Sequence, residues 1–273
     1  MDDKPAALRK AYIDARFGQM HVRMAGQNNR AKRPLVCFHL SPVSGVIYET
    51  WLAEMGRDRL ALAIDTPGYG MSDFPPQPPT IADFAGAMGD VLDALSLGEV
   101  DVMGYHTGSK ICVETARQRP AQVKHLVLVS APVYTEDDLK KQRSENASPD
   151  PEETGEFLKR QWQATWRWHD KRAKPADLMR SFPDHLRGGD RRGWGHRAAF
   201  AYTYPETIVD VTVPILVFNP DDDLVPYTPR IAQYLKNGRV KNLPGWSHGF
   251  LDISPREVAA MVRPFLDEDR FPA

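Results

Sequence analysis

The chain has only two cysteines in 273 residues, Cys37 and Cys112, and each sits inside an apolar run (LVCFH and SKICVE). Two isolated thiols without ligand-like spacing build neither a disulfide framework nor a zinc site. They read as small buried hydrophobes in a protein kept in a reducing compartment. Charge of one sign is also lacking: 35 Lys and Arg stand against 36 Asp and Glu, a formal net charge of −1. That balance gives no electrostatic footprint for nucleic acid or for an anionic membrane. Uncharged runs never approach the length needed to span a bilayer, and the opening MDDKPAALRK lacks the apolar stretch of a signal peptide. Internal repeats and low-complexity tracts are missing as well. A cytoplasmic protein acting on a small molecule, with no cofactor and no bound metal, is the expectation, and oligomeric state stays unread.

The length suits one domain, or one core with a modest insertion. AYIDARF (11–17) and MHVRMAG (20–26) alternate around a Gly18 turn and predict a hairpin at a sheet edge. Five apolar runs follow: LVCFH (35–39), LALAID (60–65), VDVMGY (100–105), HLVLVSA (125–131) and ILVFN (215–219). Such runs are expected of strands buried on both faces. Helical spacing separates them at 81–96, with Thr80 as N-cap, and recurs at 107–118 and 254–267. Alternating strand and helix signals predict an α/β fold with a mostly parallel sheet flanked by helices. The proline-rich FPPQPPT (74–80) reads as a short stiff loop. The alternation fails between 132 and 210, a span rich in charged residues and tryptophan, in which EETGEFLKRQWQATWRWHD looks helical. An insertion of that size is too long for a simple connection. The expected division is a core of 1–131 and 211–273 with a helical lid, or cap, at 132–210 over the carboxyl edge of the sheet. The alternative is a helical embellishment that touches no substrate.

Four local patterns, the fourth a pair of segments near the C-terminus, carry the chemistry. Phe38-His39-Leu40-Ser41-Pro42 follows a buried strand, and Asp65-Thr66-Pro67-Gly68-Tyr69-Gly70-Met71-Ser72-Asp73 follows the next. Gly104-Tyr105-His106-Thr107-Gly108 lies between a strand and a helix, where flanking glycines permit a sharp turn that thrusts the central side chain above the sheet. Near the C-terminus come Asn219-Pro220-Asp221-Asp222-Asp223-Leu224-Val225-Pro226 and Leu243-Pro244-Gly245-Trp246-Ser247-His248-Gly249-Phe250. In this order the patterns resemble those of the α/β-hydrolase-fold superfamily, across nearly the whole core but not the span 132–210. The departures are Leu40 and Asn219, each where the family has glycine, and above all His106 where the nucleophile elbow normally carries serine.

The resemblance implies a catalytic set of His106, Asp222 and His248, with Asp222 orienting His248 and Asp223 a solvated neighbour; a one-residue slip of register moves the acid to a neighbour. It implies an oxyanion hole from the backbone N–H groups of Ser41 and Thr107, and substrate contacts from His39, Tyr105 and Trp246. Three readings stay open. A hydrolase of a small, partly apolar ester-like or other acyl substrate would use His106 as nucleophile or base. A lyase or cofactor-independent oxygenase would need only the His248–Asp222 base. A binding protein would keep the scaffold without turnover. His21 and His125 read as satisfied structural groups, and His169, His185 and His196 as members of a solvated lid face. Trp162, Trp166, Trp168 and Trp194 suit either pocket lining or lid packing. Ser41 is the alternative nucleophile, whereas Ser109 should point along its helix.

Overall fold

All five apolar runs become strands of a single eight-stranded sheet, ordered β1-β2-β4-β3-β5-β6-β7-β8. The computed structural model describes residues 4–28, 31–145 and 153–273. The hairpin expectation holds: β1 (Leu8–Ala15) and β2 (Gly18–Ala25) pair antiparallel at one edge. Strands β3 (Leu35–Phe38), β4 (Ala61–Ile64), β5 (Val100–Tyr105), β6 (Val123–Val129) and β7 (Ile215–Pro220) then run parallel. A further parallel strand, β8 (Gly238–Leu243), closes the other edge. Its sequence, GRVKNL, has too little apolar patterning to announce it, because an edge strand needs to bury only part of its surface.

The helices are α1 (Glu49–Met55), α2 (Ile81–Ala94), α3 (Thr107–Gln118), α4 (Glu136–Glu145), α5 (Glu156–Arg167), α6 (Pro175–Ser181), α7 (Asp184–Arg187), α8 (Trp194–Ala201), α9 (Tyr204–Ile208), α10 (Phe250–Ile253) and α11 (Pro255–Glu268). Helix α2 starts where expected: Thr80 Oγ1 accepts from the Asp83 N–H, while Asp83 accepts from the Thr80 N–H. Helices α4 to α9 all fall between β6 and β7. The predicted helical segment there begins at residue 152, just outside the described residues, and appears as α5. Among the described residues no helix is long and apolar enough to cross a membrane.

Period-two alternation splits the core into two layers. Val36 and Phe38 of β3 pack on the face covered by α2 and α3, with Phe84, Met88, Ile111 and Cys112. Leu35 and Cys37 face the other way, among Trp51, Leu52, Val258 and Phe265 from α1 and α11. The two cysteines therefore lie buried and free on opposite sides of the sheet.

The passage from β5 to α3 depends on two glycines. A Cβ on Gly104 would come within 2.1 Å of the Gly108 carbonyl oxygen and 2.7 Å of Cys112 Sγ. One on Gly108 would meet the Phe38 carbonyl oxygen at 2.0 Å. The nearest obstacle at each position is backbone that cannot step aside, so the helix docks on the sheet only because neither position has a side chain. Gly108→Ala should therefore lower the unfolding free energy by about 1–3 kcal/mol or more, read as a fall in the urea midpoint. An unchanged midpoint would show that α3 can move off β3 without cost.

Candidate active site

The carboxyl ends of β3, β5, β7 and β8 converge, and each releases a loop that carries one of the patterns. Open parallel sheets bind ligands at this edge. At the end of β5, His106 adopts φ 49° and ψ −110°, a strained conformation for a residue with a β-carbon. Its backbone is fixed from both sides: its N–H donates to the Val129 carbonyl at 3.0 Å, and its own carbonyl accepts from the Ser109 N–H and hydroxyl. Ser109 is thereby committed to the helix start, as expected. Thr107 opens α3, so its N–H belongs to the first turn, which has no intrahelical acceptor.

The acid loop departs from the expected register. His248 Nε2 donates to Asp223 Oδ1 at 2.8 Å, so the carboxylate bonded to this imidazole is Asp223 and not Asp222. Asp222 is fully buried and already occupied: it accepts from the Ser130 hydroxyl, from Tyr105 at 3.4 Å and from the Leu224 N–H at 2.9 Å. It also accepts from His106 Nε2 at 3.3 Å. Asp223 is no solvated bystander; it lines the cavity, with its side chain 37% exposed. Two consecutive aspartates thus serve two different imidazoles. With each Nε2 carrying the proton donated to its carboxylate, each ring keeps a lone pair on Nδ1.

The rings of His106 and His248 meet edge to face with centroids 4.9 Å apart. Tyr105 stacks on His248 at 5.4 Å and lines the same cavity. Burial opposes ionisation of Asp222 and Asp223, yet hydrogen bonds from His106 and His248 and the charge of both imidazoles prevail, holding both carboxyls below their usual range. Burial likewise opposes protonation of His248; its bond to Asp223 and the nearby Asp222 outweigh it and raise this pKa. His106, Asp222, Asp223 and His248 offer ligand atoms within 4.8 Å of one another, a donor set of the kind that can hold a divalent cation. The two His–Asp hydrogen bonds account for the same closeness.

Above this floor is a cavity of about 230 Å³. Its walls include Ser41 from the loop after β3, Leu251 from α10, and Trp168, His169, His185 and His196 from the span between β6 and β7. The three histidines expected on a solvated face instead line the cavity. Burial pushes His185 and His196 down to about 4 and lowers His169, so all three are neutral imidazoles at neutral pH. Their sequence carries no helical-pair spacing that would have placed them inward. Of the four tryptophans considered, only Trp168 lines this cavity; Trp162 packs on Phe182 and Trp166 on His169.

Two expected substrate contacts lie elsewhere. His39 is 1% exposed and structural: Nδ1 donates to the Leu40 carbonyl and Nε2 accepts the Thr66 N–H at 2.8 Å, joining the loops after β3 and β4. Trp246 packs on Phe250 under the Arg172 guanidinium, away from the cavity. His21 and His125 are satisfied as expected, by Asp65 at 2.8 Å and by Asp101 and Asp269 at 2.9 and 2.7 Å.

Comparison with known proteins finds related chains and folds. An uncharacterized protein of Mycobacterium tuberculosis is 33% identical over 85 residues, which make up 31% of this chain but only 25% of that protein. The non-heme chloroperoxidase of Streptomyces lividans is 26% identical over 248 residues, covering 81% of this chain and 87% of its own. In structure, the enol-lactonase of Burkholderia xenovorans superposes with a TM-score of 0.78 at 19% identity, over 94% of this chain and all of its own, a likeness of fold. Residues 33–255 match the family described as alpha/beta hydrolase fold, from the strand before the His39 loop to the start of α11. With that match spanning most of the sheet and all four loops of the site, the chain belongs to the α/β-hydrolase family.

Proposed function

We propose that this protein hydrolyses a small, partly apolar ester or other acyl compound, with His106 as nucleophile or water-activating base. The supporting observation is the placement of the His106 imidazole: the elbow turn presents it at the cavity floor, bonded to Asp222 and against His248, which Asp223 orients. The carbonyl oxygen of the substrate would face the N–H groups of Ser41 and Thr107, where developing negative charge is stabilised without reorganisation. In the covalent route, a neutral His106 nitrogen bonds to the carbonyl carbon and the leaving group departs with a proton from His248. Water then attacks the acyl-imidazole, gives its proton to His248, and releases the acid and free His106. In the direct route His106 takes the proton of water as the water attacks. Each route needs the pair of imidazoles to share charge, and a carboxylate beside each supplies that.

Residues 132–210 act in this reading as a lid, because they bring Trp168, His169, His185 and His196 over the reacting centre. Second in rank is a lyase or cofactor-independent oxygenase. One observation favours it: the elbow carries no hydroxyl or thiol, while both His–Asp pairs needed for proton transfer are intact.

Purified protein should turn over activated esters, and His106→Ala should reduce kcat by about a hundredfold or more. Undiminished turnover would remove His106 from the chemistry. Reaction in ¹⁸O-labelled water separates the two readings, since hydrolysis puts one label into the acid product and the alternative puts in none. The pH profile gives a second check. An activated ester has a leaving group that needs no proton. His248 must be neutral to take the proton of water in the deacylation step, so kcat limited by that step should rise with pH through a value above the ordinary 6.5 or so of histidine. Asp222, Asp223, His106 and His169 face this ring, and the Asp223 bond is the strongest influence raising its pKa. Asp223→Asn should therefore move the rising limb to lower pH while lowering the plateau. A limb that stays in place would transfer it to another group.

A further inference from the structure

One buried charged group takes no part in the chemistry above. Lys110 lies on α3, four residues beyond His106, and is 3% exposed. Its ammonium has unusual company: Nζ lies 4.2 Å from the centre of the Tyr204 ring and 5.9 Å from that of Tyr134, and it donates to the Pro132 carbonyl at 3.4 Å. Among the described residues no carboxylate comes within ion-pair distance of it. Buried ammonium groups are almost always paired, because taking a charge out of water is unfavourable unless a partner compensates. Burial alone accordingly pushes this amine down to about 7.

The space around Lys110 is built in a way that suits a missing partner. A small cavity of about 40 Å³ opens between α3 and α8, lined by His106, Thr107, Lys110, Tyr134 and His196. It shares His106 and His196 with the larger cavity, so the elbow side chain borders both. Asp223 also reaches this wall, but its carboxylate is bonded to His248 and does not approach the amine. His196 is neutral, and Lys110, with its pKa lowered to about 7, is the amine of this cavity and is fully charged only when an anion stands beside it.

We propose that Lys110 is the anchor of an anion subsite beside the elbow, and that the substrate is an acyl compound bearing a carboxylate a short distance from the bond that reacts. The inference rests on the hydrolase reading for the words "acyl compound"; the subsite itself does not. The volume admits a carboxylate and little more, so the apolar remainder of the substrate occupies the larger cavity under the lid. An entering carboxylate supplies the partner that the folded chain withholds, and it fixes the carbonyl relative to His106 through a rigid helical turn. Specificity for an anionic acyl group then follows from leaving a charge unpaired until substrate binds.

Two measurements test this. The first is calorimetric binding of succinate and, separately, of acetate to the wild-type chain and to Lys110→Met, which needs no turnover. Succinate should bind the wild type and bind Lys110→Met about tenfold or more weakly, the scale of a lost desolvated charge pair. The second compares kcat/KM for the p-nitrophenyl half-ester of succinic acid with that for p-nitrophenyl pentanoate. The wild type should favour the anionic ester, and Lys110→Met should cut the ratio about tenfold or more. Lys110→Met removes an unpaired buried charge and adds an apolar side chain of similar length, so its melting temperature should not fall. Absence of succinate binding by the wild type overturns the subsite whatever the variant does. Acetate binding as tightly as succinate overturns the substrate assignment, because a free small anion then suffices. Succinate binding with no turnover of either ester would sink the hydrolase reading and leave the subsite standing.

Discussion

Two aspartates side by side on one loop cannot both be charged in a mostly buried site unless positive charge or N–H donors stand against each of them. This constraint organises the reacting centre. Asp222, with no exposed surface, meets it through donors: Ser130, Tyr105, the Leu224 N–H and His106. Asp223, more open, meets it through His248. A hydroxyl at the elbow would offer Asp222 no imidazole, and the cluster would then hold two carboxylates against one ring. Histidine at position 106 is therefore matched to the acid loop as much as to the substrate. Each residue makes physical sense only with the other present.

The same matching explains why the elbow tolerates so large a central side chain. Strain at His106 is a backbone matter, set by the positive φ, and is carried by the Val129 and Ser109 hydrogen bonds and by the absence of side chains at Gly104 and Gly108. Beyond the backbone the ring projects into space between Asp222 and His248, where an imidazole finds a hydrogen bond and an aromatic neighbour. Steric demand falls on the glycines, and chemical demand falls on the pocket. The two can change independently, which is why the turn persists with histidine at its centre.

Legibility in the sequence follows the same division. The fold was readable because buried parallel strands are nearly continuous apolar runs and because the sharp turns demand glycine and proline at fixed offsets. The elbow, the acid loop and the His248 loop were found for that reason. What could not be read was any choice settled by a few degrees of side-chain direction. Asp222 and Asp223 are identical in type and adjacent, and only the turn after β7 decides which one faces His248. His39 and Trp246 sit within recognisable loops, yet the ring of one is consumed by Leu40 and Thr66 and the other is covered by Arg172. The inward histidines of the span between β6 and β7 were missed for a different cause. His169 lies outside any helix, and His185 and His196 sit on helices of four and eight residues, too short for local periodicity to decide which side is buried.

That span is also bound directly to the His248 loop. The His248 N–H donates to the Trp168 carbonyl at 3.2 Å, and the Asp170 N–H donates to the His248 carbonyl at 2.8 Å, a short parallel bridge between His169 and His248. Ser247 adds its hydroxyl to the Trp168 carbonyl, and Gly249 packs so tightly on the His169 ring that a Cβ there would lie 2.5 Å from Cε1. The loop that carries His248 is thus held as much by the insertion as by β8. A hinge motion that lifted residues 168–170 would have to break these bonds and would move the His248 backbone with them. Displacement of Trp168 is therefore linked mechanically to displacement of His248, whereas α6 and α7 do not share that bridge.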